Sequence, residues 1–121
     1  MQVSRLDQAA PFITTDGSTI RELAGRVSLP SVNQSLAQAT VPVGRDTDEH
    51  YHPIAEEIYL IQSGSGRLRV GDEHRDVEPG DCVLIAPGVI HKLVNTGAEP
   101  LRLLCCCAPA WTPEDTILTG G

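Results

Sequence analysis

Apolar and polar residues alternate in short runs along this chain, and most runs close on glycine or proline. Alternation marks a half-buried strand, because successive side chains point to opposite faces. Ser35 to Val41 reads as one such strand, closed by Pro42 and Gly44. Glu57 to Gln62 is rich in β-favouring residues and ends at the turn-forming run Ser63-Gly64-Ser65-Gly66. In Arg67 to Val70 the spacing turns Leu68 and Val70 inward and Arg67 and Arg69 to water. Gly71-Asp72-Glu73 is a hairpin turn, with His74 as a solvated loop residue beside it, and Arg75 to Val77 returns to Pro79-Gly80. Cys82 to Ala86, His91 to Asn95 and Leu101 to Cys107 complete the strands. Pro109 and Pro113 then break the chain ahead of a polar tail. Before this series, Thr19 to Leu23 suits either a short helix or a strand, and Pro30 ends what precedes it.

No long amphipathic helix separates the strands. That excludes a parallel βαβ fold and favours an all-β sandwich or barrel. A length of 121 residues allows one core and one domain. Three strands, Ile58 to Ile61, Cys82 to Ile85 and Leu101 to Cys107, are apolar on both faces. A small barrel standing alone wets its outer face, so these strands call for a cover, and a second copy is the simplest one. A homodimer is the expectation.

Composition sharpens this picture. With only Phe12, Tyr51, Tyr59 and Trp111 as aromatics, the core must be aliphatic. A formal net charge of −7 argues against nucleic acid and anionic membranes as partners. There is no apolar run long enough for a bilayer span, and Met1 to Phe12 lacks the apolar segment of a signal peptide. A cytoplasmic protein is expected. Cysteines at 82, 105, 106 and 107 fit neither a disulfide framework nor a zinc motif, and read as small buried hydrophobes.

The candidate chemistry lies in His50-Tyr51-His52, Glu57 and His91. On extended backbone the two imidazoles of His50 and His52 point to one side. Neutral imidazole binds first-row divalent metals, and a carboxylate adds charge and a hard oxygen. Glu57 opens a strand a few residues later, and His91 follows Pro87-Gly88 at the start of another. Taken singly, each histidine is more often an exposed or hydrogen-bonded residue than a ligand. The combination and its spacing carry the reading.

Gly44-x5-His50-x-His52-x4-Glu57-x6-Gly64 resembles the first motif of the cupin family. Gly80-x5-Ala86-Pro87-Gly88-x2-His91-x3-Asn95 resembles the second. Ala86 stands where the family usually has proline, and the adjacent Pro87 keeps the turn stiff. The resemblance implies a double-stranded β-helix, a jelly-roll barrel open at one end, with residues 1–30 as an N-terminal arm or strand and 31–121 as the barrel. It implies one divalent transition-metal ion (Mn, Fe, Zn or Ni) held by His50, His52, Glu57 and His91. It also implies pairing of such small barrels as dimers. Glu56 competes with Glu57 for the fourth ligand position, and the spacing to Gly64 favours Glu57. The same centre serves dioxygenases, decarboxylases, isomerases and lyases acting on small polar molecules. The alternative is a non-catalytic small-molecule binding or sensing domain. Tyr59 shares the face of Glu57 and is the candidate catalytic acid or base; Tyr51 points away, and Gln34 and Gln38 are candidates to orient a substrate.

Overall fold

The computed structural model describes residues 1–121 as twelve strands in two facing sheets. The strands are β1 Phe12–Ile13, β2 Thr19–Gly25, β3 Leu29–Pro30, β4 Ser35–Val41, β5 His50–Tyr51 and β6 Glu56–Ser63. They continue with β7 Gly66–Val70, β8 Glu73–Val77, β9 Cys82–Ile85, β10 His91–Asn95, β11 Leu101–Ala108 and β12 Ile117–Leu118. One sheet runs β1-β2-β4-β11-β6-β9, with β3 beside β2; the other runs β12-β5-β10-β7-β8. This is the all-β architecture that the strand pattern implied, in the jelly-roll form that the family resemblance implied.

Alternation is strict where the sheets face each other. Along β6, Glu57, Tyr59 and Ile61 are buried while Glu56, Ile58, Leu60 and Gln62 are exposed. The inner face also changes character from one end of the barrel to the other. In register, β11 sets Leu101 against Val41, Leu103 against Ala39 and Ile61, and Cys107 against Ser35 and Glu57. The Leu101 end is sealed by aliphatic side chains, and with Leu68, Val77, Ile85 and Leu93 these form the core. Towards the Cys107 end the inward positions turn polar. Three long strands thus carry an apolar floor and a polar mouth, and the site lies at the mouth.

Of the two conformations open to the segment after Asp16-Gly17, Thr19–Gly25 takes the strand, because its backbone pairs with β4 along most of its length. His74 sits within β8, exposed, and not in the turn; the turn shrinks to Gly71-Asp72 because Val70 pairs with Glu73. The tail is ordered: a 3-10 turn over Pro113–Asp115, capped by the Thr112 side chain, leads into β12, which pairs with β5. Asn95 closes the sealed end. Its side-chain amide donates to the Val41 and Glu99 carbonyls, and its Oδ1 accepts from the Gly97 N–H.

Candidate metal centre

His50 and His91 are directly opposed residues on the antiparallel strands β5 and β10, so their rings meet with centroids 4.3 Å apart. His52 lies two residues beyond His50 on the same side, and all three imidazoles are buried. Glu57 reaches them from the facing sheet, while Glu56 points to solvent. The four potential ligand atoms all lie within 4.8 Å of one another.

Backbone carbonyls fix the tautomers. The Nδ1 atoms of His50, His52 and His91 lie 2.7, 2.9 and 2.9 Å from the carbonyls of Asp48, Asp115 and Val89. A carbonyl only accepts, so each Nδ1 carries the proton and each Nε2 presents a lone pair inward. Glu57 Oε1, also an acceptor, lies 3.2 Å from His52 Nε2 and 3.4 Å from His91 Nε2. These three atoms are buried without any hydrogen-bond donor. Acceptors converge in this way only around a cation or a trapped proton. Two atoms each ~2.1 Å from one ion lie ~3.0–3.4 Å apart when adjacent, so the spacings of Glu57 to His52 and to His91 fit a divalent metal with nitrogen and oxygen ligands.

The three groups differ in their electrostatics. Burial and the neighbouring His91 lower the pKa of His50, favouring neutral imidazole. Burial opposes the charging of His52, but the hydrogen bond that Glu57 would accept from a protonated Nε2, together with its charge, outweighs it and raises the His52 pKa. Burial alone would raise the pKa of Glu57, yet His52 and His91 bring it down to about 2. A carboxylate so placed remains ionised throughout the neutral range.

Residues that the sequence did not single out hold this cluster. Asp115 clamps the chain after His52: its carboxylate accepts from the N–H groups of Ile54 and Ala55 while its carbonyl receives His52. Thr112-Pro113-Glu114-Asp115 is a recognisable helix-start pattern, with a capping threonine and proline behind it, so a sequence signal for this turn existed. The Cys107 thiol donates to Glu57 Oε2 at 3.2 Å, which leaves Oε1 for the histidines. Burial and the charge of Glu57 push the Cys107 pKa upward, so the thiol keeps its proton. Cys105 also lines the cavity, and Cys82 is exposed on the outer face, so the four cysteines are not uniformly core residues.

His50, His52 and Glu57 form one wall of a cavity of about 60 Å³ that reaches from Leu93 to Phe12 and Trp111. Tyr59 is buried in that wall, its ring centroid 5.9 Å from that of His91. Gln34 lies outside β4 and is exposed, and the amide of Gln38 donates to Gln62 Oε1 outside the cavity. Neither glutamine can orient a molecule there, because inward positions on β4 belong to Ser35, Ala37 and Ala39.

Residues 37–107 match a family model described as Cupin domain. An uncharacterized protein of Methanocaldococcus jannaschii, MJ1618, is 46% identical over 110 residues, spanning 91% of this chain and 88% of its own. Among solved structures, a Cupin 2 conserved barrel domain protein from Salinispora arenicola superposes with a TM-score of 0.74 at 24% identity, over 89% of this chain and 88% of that one. Oxalate decarboxylase from Bacillus subtilis gives a TM-score of 0.82 at 20% identity, over 98% of this chain but 32% of that one.

Proposed function

The chain belongs to the cupin-domain family, and from that premise we propose that it is a metal-dependent enzyme acting on a small molecule at the barrel mouth. His50, His52, Glu57 and His91 are the ligands of one divalent transition-metal ion in this reading. The observation that carries it is the buried, donor-free meeting of His52 Nε2, His91 Nε2 and Glu57 Oε1. A bound ion supplies a Lewis acid, or a redox centre where it is iron or manganese. The chain's own residues orient the ligands, as Cys107 does for Glu57, and wall the cavity against bulk water. Burial and the charge of Glu57 raise the pKa of Tyr59 well above that of free tyrosine, so its hydroxyl serves as a hydrogen-bond or proton donor rather than a base. Oxygenase, decarboxylase, isomerase and lyase chemistry all fit such a centre, since substrate and loops decide among them. The largely apolar cavity wall favours a second reading, a domain that binds a small molecule without transforming it.

The test is metal content by plasma mass spectrometry on protein purified without a histidine tag. Near one ion per chain is expected at neutral pH, and the metal so identified selects the oxygen-consumption and substrate screens. Acid should release it. A protonated imidazole cannot coordinate, and His52 takes up its proton more readily than free histidine. Content should therefore fall between pH ~7 and ~5, the range in which imidazole titrates, while Glu57 remains ionised. Content unchanged across that range would count against histidine ligation.

The chain also works as a homodimer in this proposal. Leu36, Ile58, Leu60 and Leu84 are exposed large apolar residues on the outer face of the larger sheet, and Leu84 is 61% exposed. They form one patch, since Ile58 pairs with Leu84 and with Cys106, and Cys106 in turn with Leu36. Sedimentation velocity should give a dimer for the parent and a monomer for Ile58→Glu with Leu84→Glu. A monomeric parent would remove the proposal.

A further inference from the structure

Asp16 stands at the cavity in a turn between β1 and β2. Its carboxylate is fixed on both sides. Oδ1 accepts from the Ser18 N–H at 2.9 Å and from the Ser18 hydroxyl at 2.6 Å. Oδ2 lies 3.8 Å from His50 Nε2, the atom that faces the other candidate ligands. The Asp16 carbonyl accepts from the Asp48 N–H at 2.7 Å, which ties the turn to the strand bearing His50. A second carboxylate, Glu22, lines the same cavity, with Oε2 held by the Val27 N–H and the Ser28 hydroxyl.

No lysine or arginine lines this cavity, and neither Asp16 nor Glu22 is paired with one. With Glu57, the cavity holds three carboxylates, which outweigh a divalent ion by one charge. A carboxylate ligand entering there would meet Asp16 with no fixed cation to offset it, in a semi-enclosed site where charges are weakly screened. The rest of the wall is mostly apolar, with Ile20, Ala37, Ala39, Leu103 and Trp111 among its residues, interrupted by the hydroxyls of Thr14, Ser18, Ser35, Thr47 and Thr116. The volume of about 60 Å³ holds about four waters at ~15 Å³ of accessible space each. The donor-free Nε2 of His52, which lines this cavity, marks it as a place where something binds.

We propose that the cavity selects a compact uncharged molecule, a short hydroxy- or keto-compound, and that Asp16 excludes carboxylates by repulsion. The inference rests on the metal reading above and adds the substrate class and its specificity residue.

The test uses the full chain loaded with cobalt(II), whose visible absorption reports a molecule entering its coordination sphere. Acetate and imidazole at pH 8 serve as the anionic and neutral probes. In the parent, imidazole should change the spectrum and acetate should bind weakly. Asp16→Asn keeps an acceptor for Ser18 but removes the charge. It should tighten acetate about tenfold, the effect of one like charge within ~4–6 Å, and leave imidazole within about twofold. Asp16→Glu, which keeps the charge, should behave as the parent. Equal acetate affinity in the parent and Asp16→Asn would overturn the proposal, and so would a silent spectrum with both probes. Loss of cobalt from Asp16→Asn alone would overturn it too, by making Asp16 a ligand. Failure of the parent to hold cobalt would instead defeat the metal reading on which the proposal stands.

Discussion

Replacing His50 and His52 together by alanine is expected to weaken metal binding by about a thousandfold or more, since two of four ligand bonds disappear. Metal content should drop from near one ion per chain to a trace, while the far-ultraviolet circular dichroism of the barrel persists. The second half of that expectation follows from position. Both imidazoles are buried, which the alternation pattern alone did not convey, yet neither belongs to the aliphatic core cluster. Their removal deletes two hydrogen bonds, to the Asp48 and Asp115 carbonyls, at a cost of ~1 kcal/mol each. It also removes an acceptor lone pair facing Glu57 Oε1, which works in the opposite direction. Without metal, the variant should therefore stay folded and melt at most ~7 °C below the parent. With metal added, only the parent should gain stability, because ligand binding to the native state alone raises the melting temperature. A double variant that kept stoichiometric metal would defeat the ligand assignment.

Gly64→Ala should be the more damaging change to the fold. Gly64 has φ +83°, a conformation that costs an L-residue ~1–2 kcal/mol. A Cβ there would also stand 2.7 Å from the Pro100 carbonyl oxygen and 2.9 Å from the Leu101 Cα. Both are backbone atoms at the sealed end of the barrel, where Leu101 is fully buried, so neither can move aside cheaply. The total should reach about 3 kcal/mol or more, lowering the melting temperature by about 10 °C. Gly80→Ala is the matched control. Its φ of +95° is similarly unfavourable, but nothing lies within 4 Å of the added methyl. It should cost only the conformational share. Equal melting temperatures for the two variants would show that the close approach at Gly64 is unimportant.

Much of the barrel was legible from the chain. Ser35 to Val41 and His91 to Asn95 were bounded correctly to the residue, since proline and glycine punctuate them and alternation is a property of the local backbone. The separation of Glu56 from Glu57 was legible for the same reason: neighbours on a strand take opposite faces. Less was legible where long-range pairing decides. Thr19 to Leu23 was open between helix and strand until β4 offered it a partner. Gln38 looked available to a substrate, but the facing of β4 turns it outward to Gln62.

The sequence by itself determined the fold class and the candidate ligand set, because periodicity, turn residues and the spacing of His50, His52, Glu57 and His91 are all written locally. Only the tertiary structure decided the second layer. Asp115 holds His52 across 63 positions of chain, Cys107 reaches Glu57 across 50, and Asp16 comes to His50 from the far edge of the sheet. A lone aspartate or cysteine has no periodicity to betray it. Its role is set by which strands the closing barrel lays beside it, and that is decided by the burial of the whole core.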